Sequence, residues 1–280
     1  MALWRTAGLP NLARTLDSCD RDDFDTSLGG GAPGWQQILL NLTTLYGFIL
    51  PTGYINTGAW SIGNEMVYYS LTPIIVVAYN RSVGFGNLLL LLALAVGAGF
   101  AFSWLNPTAT LAAQWALYVN PFNNLFLFVF GISLYYNTAG QRWSRGGALA
   151  AMVVALATFS LYPVSGDQIL IVTGLNRFVF SAAAVLLVLS FYKLELDLPR
   201  ALATPLTQLG LATYGVYLLH PLVRLVCHRA LPDAGVFVLI PLTIALTLLV
   251  SLVVYHRIEL PMMQIGKRLT RPQPQPAHAI

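Results

Sequence analysis

The sequence predicts an all-α fold: a polytopic membrane helix bundle of about seven spanning helices, N-out and C-in. Of its 280 residues 56% are hydrophobic and only 9% charged, and the mean hydropathy is +0.67, too apolar for one soluble core of this size. Runs long enough to cross a hydrocarbon layer of about 30 Å recur at 60–79, 88–105, 121–137, 147–163, 174–192, 206–227 and 236–256. The cations are also one-sided. With residue 60 outside, the inner connections hold Arg81, Arg142, Arg145, Lys193 and Arg200, and the tail holds Arg257, Lys267, Arg268 and Arg271, whereas the outer loops hold only Arg229. The net charge of +4 therefore reads as membrane topology, with no nucleic-acid partner.

In chain order, residues 1–35 form a polar leading segment, expected to be poorly ordered. It has no apolar stretch of signal-peptide type, yet this topology makes it cross the membrane carrying "DSCDRDDFD" (17–25). One explanation is that helices precede it. Ile38, Leu39, Leu42, Leu45, Tyr46 and Ile49 recur at helical spacing with Gln37, Asn41 and Thr44 between them, which predicts an interfacial helix over 36–50. The spans that follow, 60–256, are joined by short turn-rich connections, "NRSVGFGN" (80–87), "NTAGQRWSRGG" (137–147) and "LPDAG" (231–235), so sequence neighbours pack antiparallel. The last residues, 270–280, read as a disordered cytosolic tail. Cys19 and Cys227 suggest neither a disulfide framework nor a metal site.

Function is sought where polar groups enter the bilayer, because a carboxylate there costs several kcal/mol and faces the bundle interior. In "AWSIGNEMVYYSLTP" (59–73), Ser61, Glu65, Tyr68 and Thr72 fall on one helix face. The sixth run repeats the pattern with Thr213, Tyr217, His220 and Arg224. There Pro221 removes the hydrogen bond to the Tyr217 carbonyl and leaves a free acceptor near His220. Counting from the helix ends puts Glu65 and His220 at similar depth, with Asn123, Asn124, Asn176 and Arg177 also near outer ends; for Arg177, snorkelling to headgroups competes with a site role. Trp60, Tyr54 and Trp104 fit an interfacial belt, and Trp60 also fits a brace for the site. No phosphate-binding loop, dinucleotide fingerprint, H-E-x-x-H or paired cysteines occur, which argues against nucleotide hydrolysis, a dinucleotide fold and a thiolate-bound metal.

Three stretches resemble one family. "AWSIGNEMVYYSLTPIIV" (59–76) looks like its Trp-Ser-x-x-x-Glu-x-x-Tyr helix, "LGLATYGVYLLHPLV" (209–223) is similar to its Tyr-Gly-x-Tyr-Leu-x-His-Pro helix, and "HRIELPMMQIGKRL" (256–269) resembles its closing Glu-x-Pro segment; "NNLFLFVFGISLYY" (123–136) is a weaker fourth. The family is the integral membrane acyltransferases of the acyltransferase-3 type, which O-acetylate surface polysaccharides and related acceptors. The resemblance implies transfer of an acyl group, most often acetyl, from acyl-CoA to a hydroxyl of a carbohydrate or similar acceptor, in a multi-pass protein of the cell (inner) membrane in contact with lipid. It implies catalytic roles for Glu65 and His220, and acceptor binding by Ser61, Tyr68, Asn124, Arg177, Tyr217 and Arg224. The phosphates of acyl-CoA, a co-substrate in a reaction without metal or other cofactor, would meet Arg142, Arg145 and Arg200. Members usually begin with a helix carrying an Arg-Gly motif and a histidine thought to act as the base. These residues hold no counterpart of it, so one reading is an incomplete chain. By topology alone, a seven-helix receptor or small-molecule transporter is the alternative; a retinal pigment is removed because the last span has no mid-helix lysine.

Overall fold

Every described element is helical in the computed structural model of the chain, which describes residues 33–194 and 198–269. The leading residues 1–32 and the tail 270–280, for which poor order was expected, lie outside the described residues. Helices that each bury one face must stack, and here they form two compact units, one within 33–194 and one within 198–269.

The first unit opens with α1 (Trp35–Leu42) and α2 (Tyr46–Ile49) in place of one helix over 36–50. The break is local chemistry. Thr43 Oγ1 donates to the Leu39 carbonyl at 2.8 Å, and Thr44 takes the left-handed φ of 58°, which ends the helix. The returning chain is tied by Asn41, which donates to the Gly53 carbonyl at 2.8 Å and accepts from the Ile55 N–H at 3.0 Å.

Next come α3 (Trp60–Arg81), α4 (Val83–Gly99, closing in a π-turn over Phe100–Trp104), α5 (Trp115–Tyr118), α6 (Pro121–Thr138), α7 (Arg145–Leu161), α8 (Ile169–Val172) and α9 (Gly174–Lys193). The loop expected over 80–87 shrinks to Ser82, whose Oγ accepts from the Gly84 N–H at 3.1 Å and so caps α4 at once. Paired contacts fix the directions. Tyr68 stacks on Phe128 and Tyr79 on Tyr136, so α3 and α6 run parallel. Arg177 meets Asn123 while Lys193 donates to the Thr138 carbonyl, so α9 runs parallel to both. Phe159 meets Phe180 and Tyr162 meets Asn176, so α7 runs against α9, as α4 does against α6 through Asn87 and Asn137. Sequence neighbours are antiparallel, as the short connections require. All of Arg81, Arg142, Arg145 and Lys193 consequently lie at one end of this unit. Ile75, Tyr79, Ala93, Phe126 and Val129 form its core, and Phe100, Leu105, Leu111 and Ile169 close the opposite end.

The second unit holds α10 (Arg200–Leu211), α11 (Thr213–Ala230), α12 (Val236–Val254, continuing in a π-turn over Tyr255–Glu259) and α13 (Leu260–Leu269). The single span expected at 206–227 is instead bent by 64° between α10 and α11, around the fully buried Ala212. Conversely, the span expected over 236–256 continues as one helix to Leu269.

Among the described residues, Val83–Trp104, Gly174–Lys193 and Val236–Leu269 are long and apolar enough to cross a membrane. The number rises to 5 when each bent pair, Ala112–Tyr118 with Pro121–Thr138 and Arg200–Leu211 with Thr213–Ala230, counts as one span. The all-α membrane helix bundle is as expected, and these 3 to 5 are its clearest spans by length and composition. A helix stands at each of the seven runs, but α7 has only 17 residues and α3 is diluted by polar side chains.

Candidate functional site

The polar centre of the first unit forms where α6 begins. Asn120 caps that helix by accepting from the Phe122 N–H at 3.0 Å, and Pro121 follows as the first helical residue, where its missing N–H costs nothing. Asn123, fully buried, is thereby turned toward α9 and donates to the Tyr118 carbonyl at 2.8 Å. Arg177, 5% exposed in the first turn of α9, reaches into this knot. Nη1 donates to Asn123 Oδ1 at 2.6 Å, and Nη2 donates to the Asn123 carbonyl at 2.6 Å and to Asn124 Oδ1 at 3.1 Å. The guanidinium also lies 5.2 Å from the centre of the Phe126 ring. Arg177 therefore does not snorkel: it pins α9 to the start of α6.

The helix carrying Glu65 meets this knot through a face other than the expected one. Of Ser61, Glu65, Tyr68 and Thr72, only Tyr68 is buried, donating to the Pro121 carbonyl at 2.7 Å. Ser61 turns back to the Gly58 carbonyl at 3.3 Å and Thr72 to the Tyr68 carbonyl at 2.9 Å. Glu65 is half-buried and accepts from the Tyr69 hydroxyl at 3.2 Å. The face packed on the bundle runs instead through Asn64, Tyr68, Ile75 and Tyr79. Above it, Trp60 packs on Trp115 and Tyr118, and Trp115 Nε1 donates to the Tyr54 hydroxyl at 2.6 Å. The brace read at Trp60 is thus part of a four-ring cluster.

In the second unit, α11 continues through Pro221, and His220 Nδ1 lies 2.8 Å from the Tyr217 carbonyl, the acceptor that Pro221 sets free. A carbonyl only accepts, so Nδ1 carries the hydrogen and the neutral ring presents its lone pair at Nε2. Tyr217, His220 and Arg224 are all exposed along α11. Arg142 and Arg145 are exposed before and at the start of α7, and Arg200 is exposed at the start of α10, in the other unit.

The sequence reading missed a second polar group here. Within the π-turn that continues α12, His256 Nε2 meets Gln208 Oε1 at 3.0 Å and Glu259 approaches the buried Gly215. Thr247 and Ser251 line the same side of α12, their buried hydroxyls without a hydrogen-bond partner among the described residues. Their spacing of four residues is visible in the sequence, but two hydroxyls in an apolar run carry no charge to single them out. Asn64 was passed over similarly, beside the more conspicuous Glu65.

Comparison with known families returns a match to the acyltransferase-3 model, described as an acyltransferase domain, over residues 24–256. The chain belongs to the acyltransferase-3 family. No curated protein and no solved structure matches it. As an acyltransferase-3 member it is an integral membrane acyltransferase. The match takes in the Arg177 knot, Glu65 and His220, while Glu259 and α13 lie beyond it. Among the described residues of this acyltransferase-3 chain, no group of three or more His, Cys, Asp and Glu side chains is placed to hold a metal.

Proposed function

We propose that this acyltransferase moves an acyl group, most simply acetyl, from acyl-CoA to a hydroxyl of a sugar or other cell-surface acceptor, as a multi-pass protein of the cell membrane. The observation that carries this reading is the ring orientation of His220. With Nδ1 spent on the Tyr217 carbonyl, Nε2 is the nitrogen able to take a proton. It removes the acceptor hydroxyl's proton as that oxygen attacks the thioester carbon; the carbon–sulfur bond breaks, and the proton passes to the departing CoA sulfur. The products are an ester and free CoA.

Glu65 is assigned the orientation of a donor group. Tyr69 occupies Oε2, and Oε1 receives no hydrogen bond from a described residue. Ser61, Tyr68, Asn124, Arg177, Tyr217 and Arg224 are assigned to the acceptor. Arg177 and Tyr68 serve it by holding helix ends, since their polar atoms already face protein partners. Exposed Arg142, Arg145 and Arg200 suit the phosphates of CoA, and the position of Arg142 and Arg145 among the cations of the first unit argues that their end is inside.

Membranes containing the chain, supplied with acetyl-CoA labelled in its acetyl group, test the reading. Label should pass into a membrane or surface acceptor as a base-labile ester, in amounts that follow the level of the chain. Label that stays in acetyl-CoA, or is released only as free acetate, would overturn it.

A further inference from the structure

Asn64 lies on the inward face of α3, in the second turn of the helix, yet no described residue bonds its Oδ1. The residue is 3% exposed, its Oδ1 is shut off from solvent, and that oxygen has no hydrogen-bond partner among the described residues. Its surroundings are fixed by its helical neighbours. One turn earlier Trp60 packs on Tyr118, and one turn later Tyr68 bonds the Pro121 carbonyl. Residues four apart share a helix face, so Asn64 faces the joint between α5 and α6, residues 118–121.

From residue 119 to 123 that joint has no backbone donor to spare among the described residues. The Val119 N–H goes to the Trp115 carbonyl at 2.9 Å and the Asn120 N–H to Leu117 at 3.4 Å. Pro121 has no N–H, Phe122 N–H is taken by Asn120 Oδ1, and Asn123 N–H by the Asn120 carbonyl at 2.9 Å. The Tyr118 and Pro121 carbonyls are likewise occupied, by Asn123 and Tyr68. A buried acceptor left alone is unfavourable, and a hydrogen-bond donor brought from outside relieves it.

We propose that Asn64 is a specificity-determining residue whose Oδ1 accepts a hydrogen bond from a hydroxyl of the acceptor substrate. The inference rests on the acyl-transfer reading and adds to it the group that recognises the acceptor. Recognition by an otherwise unpaired buried group is selective, because an acceptor lacking the hydroxyl leaves the amide unpaired. Trp60, one turn nearer the helix start, is only half-buried.

A residue that is empty at rest and filled during turnover trades stability for function. Asn64→Leu, of similar size and without an acceptor, should raise the midpoint of thermal unfolding while slowing label transfer from acetyl-CoA to native membrane acceptors by about tenfold or more. The KM for acetyl-CoA should hold. Asn64→Thr, whose hydroxyl donates to the carbonyl four residues back and still accepts, should recover much of the rate. A fall in stability with Asn64→Leu, as expected if the oxygen holds a structural water, would overturn the proposal. So would undiminished transfer by a folded Asn64→Leu, or Asn64→Thr as slow as Asn64→Leu. Absence of transfer in the unsubstituted chain would instead count against the acyl-transfer reading, and the separate rise in stability would still report an Oδ1 empty at rest.

Discussion

Arg177 shows how one side chain serves a membrane fold. A cation in the bilayer is costly unless it is paired or hydrogen-bonded, and this one is spread over Asn123 and Asn124 on a neighbouring helix. The flat fork matters as much as the charge, because an ammonium cannot serve these oxygens in the same two-pronged way. Arg177→Lys is therefore expected to cost about 2–4 kcal/mol through buried acceptors left unserved, read as a lower unfolding midpoint in detergent; an unchanged midpoint would contradict the role. At His220, the bond to the Tyr217 carbonyl requires the Nδ1–H tautomer. Nitrogen-15 spectra of selectively labelled protein should show Nδ1 protonated and Nε2 unprotonated in the neutral ring, and the reverse pattern would remove Nε2 as the base. Pro221 made this bond legible in advance, since a missing N–H leaves a carbonyl whose position is known. The Arg177 partners were not legible, because which of two adjacent asparagines turns inward depends on where α6 starts.

At the scale of elements, close approach between helices decides where α3 sits. A Cβ on Gly47 would come within 2.1 Å of the Gly63 carbonyl oxygen, so the backbones of α2 and α3 meet at their glycines. Tyr46 reinforces the contact by donating its hydroxyl to the Ala59 carbonyl. Gly47→Ala must push α2 away, at about 1–3 kcal/mol. Proteolysis of the 50–57 connection should speed up, and an unaltered cleavage rate would refute the contact. Helix existence was readable from apolar runs, because burying a face imposes its period. Boundaries were not. Ser82 replaces a turn of several residues with a single cap, the Thr43–Thr44 pair breaks a helix whose hydrophobic spacing continues unbroken, and the bend at Ala212 follows packing that no local residue announces.

For the whole molecule, charge and direction agree. Every cation named at the ends of α3, α6, α7 and α9 gathers at one end of the first unit, apart from the buried Arg177, and the positive-inside rule places that end in the cytoplasm. Single cysteines at Arg142 and Ser165, near the two ends of α7, should then label from opposite sides in a chain with Cys19 and Cys227 replaced by alanine; labelling of both from one side would reverse the assignment. Ser165 is chosen because Asp167 accepts from the Leu111 and Ile169 N–H groups, each at 2.9 Å, and would be missed. The central claim is that Glu65 and His220 carry acyl transfer, and the most direct measurement is the rate of label transfer from acetyl-CoA in membranes holding equal amounts of folded chain, Glu65→Gln or His220→Ala. General acid–base assistance is worth roughly a hundred- to ten-thousand-fold. The account predicts a loss of that order for His220→Ala and a severe loss for Glu65→Gln, whereas turnover that survives both substitutions would contradict it.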